Sequence, residues 1–362
     1  MNKIKLLILT QKVDKNDDVL GFFHRWIAEF AKHCEKVTVV CLQKGEYGLP
    51  ENVKVLTLGK EKRPPARRCP EVFGKLKHVF NFYKHIIRER KNYDAVFVHM
   101  NPEYVVLGAP LWKLWGKKTA LWYTHRQVNL KLRLAEKLVG KIFSASKESF
   151  RLPSRKLKVV GHGIDVEKFN VKRGGGEKGG KLRIVAVGRI TRIKNLDTLI
   201  EAAAILKEKW GKGLSVKMAG APAAEGDSEY LAELRKLVKE KGLEGEVVFS
   251  GAVPYGKIAE FYAEADASVN LCPTGGLDKA VLESMAAGLP VFTSNKGFAG
   301  YFGEYAPKLI FREGDARDLA AKITAVFAGG ETKAMGEFLE KKAKEAAGLE
   351  NLIKRLTDEF NE

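Results

Sequence analysis

The stretch LRIVAVGRITRIKNLDTLIEA, residues 182–202, decides the fold. Its first six residues form an almost unbroken apolar run rich in β-branched side chains, the pattern of a strand covered on both faces. Gly188 ends the run, and from about Asn195 the apolar residues recur at helical spacing. A strand that turns directly into a helix is half of a βαβ unit, which implies a parallel sheet with helical crossovers. Arg189, Arg192 and Lys194 crowd the predicted helix start. Unpaired backbone N–H groups and the helix dipole already favour an anion there. Arg189 can offer a planar fork to phosphate oxygens and Lys194 a compact point charge. Any one of them alone reads equally well as an exposed surface cation.

The same alternation runs outward in both directions. Apolar runs at 4–9, 37–42, 53–58, 95–99 and 119–123 precede it, with helical spacing at 20–33 and 71–90. Runs at 214–219, 246–250, 267–271 and 290–293 follow, separated by predicted helices at 195–209, 228–241, 255–263 and 279–287. The segments 315–327 and 333–360 read as charged helices. The pattern stops at VKRGGGEKGGK (171–181), which has no apolar periodicity and reads as a connector. The expected division is a first domain at 1–168, a linker at 169–181, a second domain at 182–335 and a helical segment at 336–362 that could return to the first domain.

A second constellation is CPTGGLDKAVLESMAAGLPV, residues 272–291. Gly275 and Gly276 would let the backbone approach a ligand closely, and Leu277 or Asp278 would open a helix. Glu283 follows among small and apolar residues. A buried carboxylate needs a partner; a ribose diol would serve, and so would a buried lysine.

At 362 residues the chain exceeds ordinary single-domain size, and 45% hydrophobic with 30% charged residues describes a globular protein. Cys34, Cys41, Cys69 and Cys272 show no C-x-x-C spacing, which argues against a zinc site or a disulfide framework and for reduced thiols in a cytoplasm. The N-terminus lacks a secretion-signal pattern, and the most apolar stretch, 104–115, is too short to span a bilayer. A net charge of +19 points to anionic partners without naming them. Much of it lies in 60–91, with eleven Lys/Arg against three Glu. Together with Trp112, Trp115, Lys113, Lys117 and Lys118 that stretch suggests a surface for anionic lipid; tryptophans packed in the core are the alternative. No nucleic-acid partner is expected, since only charge would support one. Neither first strand leads into G-x-G-x-x-G, which disfavours a nicotinamide dehydrogenase.

Five fragments in order, GHGIDVEKF (161–169), VGRITRIKNLDTLIEA (187–202), VKMAGAP (216–222), VVFSGAVPYGKIAEFYAEADASVNLCPT (247–274) and LESMAAGLPVFTSN (282–295), resemble the retaining B-type glycosyltransferases. The resemblance is closest to glycosyltransferase family 4, glycosyl transferases group 1. It implies an α/β protein of two Rossmann-like domains whose parallel sheets face across a cleft, the GT-B fold. It further implies transfer of a sugar, with retention and without a metal or other cofactor, from a nucleoside-diphosphate sugar to a glycan, lipid-linked or small-molecule acceptor. That activity would suit cell-envelope glycan synthesis by a cytoplasmic enzyme peripheral to the inner face of the membrane. By position, Arg189 and Lys194 would neutralise the diphosphate, Glu283 would bind the ribose, Val253 would lie by the base, Gly21 near the diphosphate and His125 beside the transferred sugar. Gly275 stands where relatives carry the first of two glutamates, with Asp278 and Lys279 close enough in sequence to take over its contacts. The departure keeps two alternatives open, a non-catalytic nucleotide-sugar module and a nucleotide-sugar epimerase on the same fold.

Overall fold

The computed structural model describes residues 3–62, 71–171 and 181–361. These form two compact units, one of residues 1–163 with 349–362 and one of residues 164–348.

The first unit is built on a seven-stranded, wholly parallel sheet: β1 (Lys5–Val13), β2 (Lys36–Lys44), β3 (Val53–Thr57), β4 (Ala95–His99), β5 (Lys118–Trp122), β6 (Lys141–Ser144) and β7 (Leu157–Val159). Their spatial order is β3-β2-β1-β4-β5-β6-β7. β1 lies between β2 and β4, with Leu6 opposite Val37 on one side and Ala95 on the other. Both of its faces are therefore covered, and alternate residues serve opposite cores. Leu6 and Ile8 pack with Phe23, Trp26 and Phe30 of the helix Gly21–His33, while Leu7 and Leu9 pack with Phe82, Tyr104 and Trp112. The strands β6 and β7 went unpredicted because four and three residues are too few to show a period.

Trp112 corrects an expectation. It is fully buried in the helix Pro102–Leu114, and Trp115 is half-buried against the same core, so this pair is no lipid-facing surface. Among the described residues no helix is long and apolar enough to cross a membrane. Part of the basic stretch, 63–70, and Cys69 with it, lies outside the described residues; Cys34, Cys41 and Cys272 are free thiols.

The second unit carries five parallel strands, β8 (Leu182–Val187), β9 (Leu214–Ala219), β10 (Val247–Gly251), β11 (Ala267–Asn270) and β12 (Val291–Thr293), in the order β10-β9-β8-β11-β12. The chain enters this unit at Ile164, ahead of the expected linker. Ile164 pairs with Gly348, and Phe169, fully buried, sits edge-on to Tyr255 and Tyr262. Apolar anchoring thus ties 164–171 to the second unit, and the glycine-rich residues 172–180 lie outside the described residues. The final predicted helix is two helices, Thr332–Ala347 and Leu349–Asn361, parted at an extended Gly348. The first buries Met335, Leu339 and Ala343 in the second unit; the other buries Leu352, Ile353 and Leu356 in the first. The division therefore falls inside the helical pattern, at the residue that leaves a helix at least cost.

The ends of β8 and β9 approach so closely that a side chain between them has no room. Gly220 has φ +148°, and a Cβ on it would lie 1.8 Å from the Gly188 carbonyl oxygen. Gly220→Ala should cost about 3 kcal/mol, lowering Tm by roughly 6–12 °C in a calorimetric scan. Gly256→Ala, where a Cβ would meet nothing within 4 Å, should leave Tm unchanged.

Candidate functional site

Strand order in the second sheet reverses between β8 and β11, its central neighbours. Loops leaving two such strands diverge to opposite sides and open a crevice at the carboxyl edge, the usual ligand position in open α/β sheets. Here the two loops are 188–195 after β8 and 271–278 after β11. They are the two constellations singled out in the sequence.

The first loop begins with Gly188, at φ +152° and hydrogen-bonded through its N–H to the Ala219 carbonyl at 2.9 Å. Arg189 is exposed, with no protein partner for its guanidinium among the described residues. The 3-10 turn Arg192–Lys194 follows, then Asn195 in the left-handed region at φ +42°, and the helix Leu196–Trp210. Arg192 departs from expectation: it pairs with Glu233 at 2.6 Å and lies over the Tyr230 ring, so it takes no part in an anion grip. The helix start is also less open than expected. The Leu196 N–H donates to the Tyr230 hydroxyl at 2.9 Å, which in turn donates to Asp197. Thr191 Oγ1 is buried without a hydrogen-bond partner.

Lys194 turns inward and forms an ion pair with Asp278 of the second loop. The Asp278 carboxylate caps the helix Lys279–Ala286 through the Ala280 N–H and accepts from Asn270 Nδ2 at 3.0 Å and Cys272 Sγ at 3.3 Å. Burial works against both charges, but each outweighs it for the other, so the Lys194 ammonium is held above its ordinary pKa and the Asp278 carboxyl below. Asp278 was expected to reach a ligand; the structure instead shows it holding the loop and the lysine. Between them, lined by Gly188, Arg189, Lys194, Asn270 and Leu271, is a cavity of about 10 Å³.

Gly275 is buried in the turn, the Gly276 carbonyl accepts from Asn295 Nδ2 at 2.8 Å, and Leu277 is half-buried against the core. The segment after β12 thereby braces the glycine turn, helped by the Lys296 N–H donating to Thr274 Oγ1 at 3.1 Å. Glu283, one turn beyond Lys279, is 5% exposed. Burial raises its carboxyl pKa against the pull of Lys279 and Lys168, and burial pushes the Lys279 ammonium down to about 7. Lys168 is held by the Tyr255 carbonyl at 2.7 Å and lies over its ring. Glu283 thus has two lysines and the Tyr255 hydroxyl of the same fold unit acting on it. Val253 is half-buried beyond β10.

The two remaining candidates belong to the first unit. Gly21 is buried at the head of its helix, its N–H on the Asp17 carbonyl at 3.1 Å. Asp17 also accepts from the N–H groups of Val19 and Leu20 and pairs with Lys12 at 2.6 Å. His125 is exposed in the loop after β5, where its Nδ1 accepts the Gln127 N–H at 3.1 Å, leaving the proton on Nε2.

Asn270, Cys272, Tyr230, Thr191 and Lys168 escaped the sequence reading. Tyr230 and Lys168 act through partners distant in the chain, Leu196 and Tyr255, and no local spacing signals that. Comparison with known proteins agrees with the geometry. The amylovoran biosynthesis glycosyltransferase AmsK of Erwinia amylovora is 33% identical over 186 residues, 49% of this chain and 43% of that protein. A GDP-mannose-dependent alpha-(1-6)-phosphatidylinositol monomannoside mannosyltransferase of Mycobacterium tuberculosis is 27% identical over 161 residues, 41% of this chain and 40% of that protein. The matched stretch is therefore less than half the length of either relative. Among solved structures, Anabaena HepE in complex with UDP shares the GT-B fold over 99% of this chain and 100% of its own, with a TM-score of 0.75 at 16% identity. Residues 167–345, which contain the whole β8–β11 crevice, match the family described as glycosyl transferases group 1, and it is this region of the chain that belongs to that family.

Proposed function

We propose that the chain is a glycosyltransferase that moves a sugar from a nucleoside-diphosphate sugar to a glycan, lipid-linked or small-molecule acceptor, with retention of configuration and without a metal ion. The observation that carries this is that, at the switch point of a group 1 domain, an Arg189 unpartnered among the described residues and a half-buried Lys194 line the same cavity. Breaking the sugar–diphosphate bond places negative charge on the leaving phosphate, and fixed cations in a crevice stabilise it. HepE, of the same fold, was solved with UDP, which supports a nucleotide donor.

In this mechanism Arg189 grips the phosphates bidentately, and Lys194 is shared between them and Asp278. Glu283 accepts from ribose hydroxyls, and Val253 lies by the base. Gly275 and Gly276 present backbone to the donor, with Leu277 and Lys279 beside them. Gly21 gives the diphosphate a close approach to backbone, and His125 offers its Nε2–H to the transferred sugar. The phosphatidylinositol monomannoside acceptor in the mycobacterial relative's name supports a lipid-linked acceptor, and the charge of +19 supports a cytoplasmic enzyme resting on an anionic membrane face and serving envelope glycan synthesis.

A thermal-shift screen of nucleoside diphosphates and nucleotide sugars tests the donor site: one of them should raise Tm. Arg189→Ala is the clean variant because Arg189 has no partner to lose among the described residues. It should keep the wild-type Tm, lose the shift and lower kcat by about 10²–10³-fold. Activity should survive EDTA. A wild-type chain that no nucleotide stabilises would remove the donor assignment, and interconversion of a nucleotide sugar with no acceptor present would favour an epimerase.

Asp278→Asn separates the structural from the ligand-binding role of the ion pair. Because the folded Asp278 pKa is depressed, the pair stabilises the fold above the unfolded carboxylate value of about 3.9, and that stability is lost as pH falls through the lower folded value. The variant should lose about 3 kcal/mol at pH 7, less at acid pH, while binding nucleoside diphosphate more tightly because Lys194 no longer has an internal anion. Calorimetric unfolding at two pH values and titration with UDP and GDP check both halves.

A further inference from the structure

At the amino ends of β5 and β6, the edge of the first sheet opposite to Gly21 and His125, lies a groove of about 740 Å³. That is within the size range of small-molecule sites. Six lysines line it, Lys113, Lys117, Lys118, Lys137, Lys141 and Lys158, against one carboxylate among the described residues, Glu359.

Glu359 serves both Lys141, at 2.9 Å, and Lys158, at 2.5 Å. Lys118 donates to the Phe360 carbonyl, at 2.7 Å, and Lys117 donates to the Tyr93 carbonyl, at 2.5 Å, and lies over the Tyr93 ring. Lys113 and Lys137 are exposed and meet no carboxylate among the described residues. Ammonium groups gathered this way repel one another, and an anion among them relieves the repulsion. Ala109, Pro110 and Leu138 add apolar lining, beside Thr119 and Gly140. Leu138 is 45% exposed, and Leu114, next to Lys113 in the chain, is 77% exposed. Cations beside hydrocarbon fit a ligand with an anionic head and an apolar tail.

We propose that this groove binds the phosphate group of an amphiphile, its hydrocarbon lying along Pro110 and Leu138. Nothing in this depends on the transferase activity, because the groove is remote from every donor-binding candidate of the first unit. The phosphate could belong to a bilayer lipid or to a soluble ester, and the test distinguishes them.

The full chain is sedimented with vesicles of phosphatidylcholine alone and of phosphatidylcholine with phosphatidic acid, and is titrated separately with short-chain, monomeric phosphatidic acid. The comparison protein is Lys113→Glu/Lys137→Glu, two exposed and unpaired positions whose change should leave Tm and any nucleotide-induced shift untouched. Expected is binding to the acidic vesicles alone, weakened by added salt, and at least tenfold weaker in the double variant. Binding of the monomeric ester without vesicle binding, again lost in the variant, upholds the phosphate site and assigns a soluble ligand. Equal binding to neutral vesicles, no binding to either probe, or binding that the double variant does not alter overturns the proposal.

Discussion

The ion pair between Lys194 and Asp278 organises the second unit's carboxyl edge. It ties the loop after β8 to the loop after β11 where the strand order reverses, so one electrostatic contact sets the geometry of the crevice. Two charges leave water to make it, a cost recovered only because the rest of their bonding is completed: Asn270, Cys272 and the Ala280 N–H all serve the carboxylate. The proposed phosphate site thus holds an anion of its own. A phosphate arriving there must compete with, or share, a lysine already satisfied, while Arg189 beside it has no such rival.

Close backbone approach is the second constraint. β8 and β9 end on Gly188 and Gly220, and no Cβ fits at the latter. The loops can therefore run side by side, with the N–H groups of Gly188, Ile190 and Gly220 bonded to the carbonyls of Ala219, Ala221 and Gly251 above a packed apolar sheet. The first unit repeats the chemistry independently: Asp17, paired with Lys12, collects N–H groups at the start of the helix that begins with Gly21. In each unit an aspartate beside a lysine occupies the place where the sequence suggested an incoming anion.

Much of this was legible in the sequence, for physical reasons. Strands covered on both faces must be apolar throughout, so β1, β2, β4 and β8 to β11 stood out, and the turn from β8 into its helix located the crevice. What escaped was of two kinds. β6 and β7 are too short to carry a period, and the division between units falls at Gly163 and Gly348, where packing of Ile164, Phe169 and Leu352 decides it; the glycine-rich stretch beside it reads as a linker only by composition. Arg189, Lys194 and Asp278 sit on the two loops singled out in the sequence, and Glu283 on the helix that follows the second. Their relationships were not legible there: that Arg192 turns to Glu233, that Tyr230 closes the helix start and that Lys168 faces Glu283 depends on pairings across tens of residues.

The central claim is that the loops 188–195 and 271–280 together grip a nucleoside diphosphate. Hydrogen–deuterium exchange of the backbone amides, followed with and without saturating UDP or GDP, tests it directly. The account predicts slowed exchange in those two loops and at the start of the helix Lys279–Ala286, with β12 and the helix Ala316–Ala328 unchanged. Protection confined to other segments, under conditions where binding is shown to occur, would contradict it.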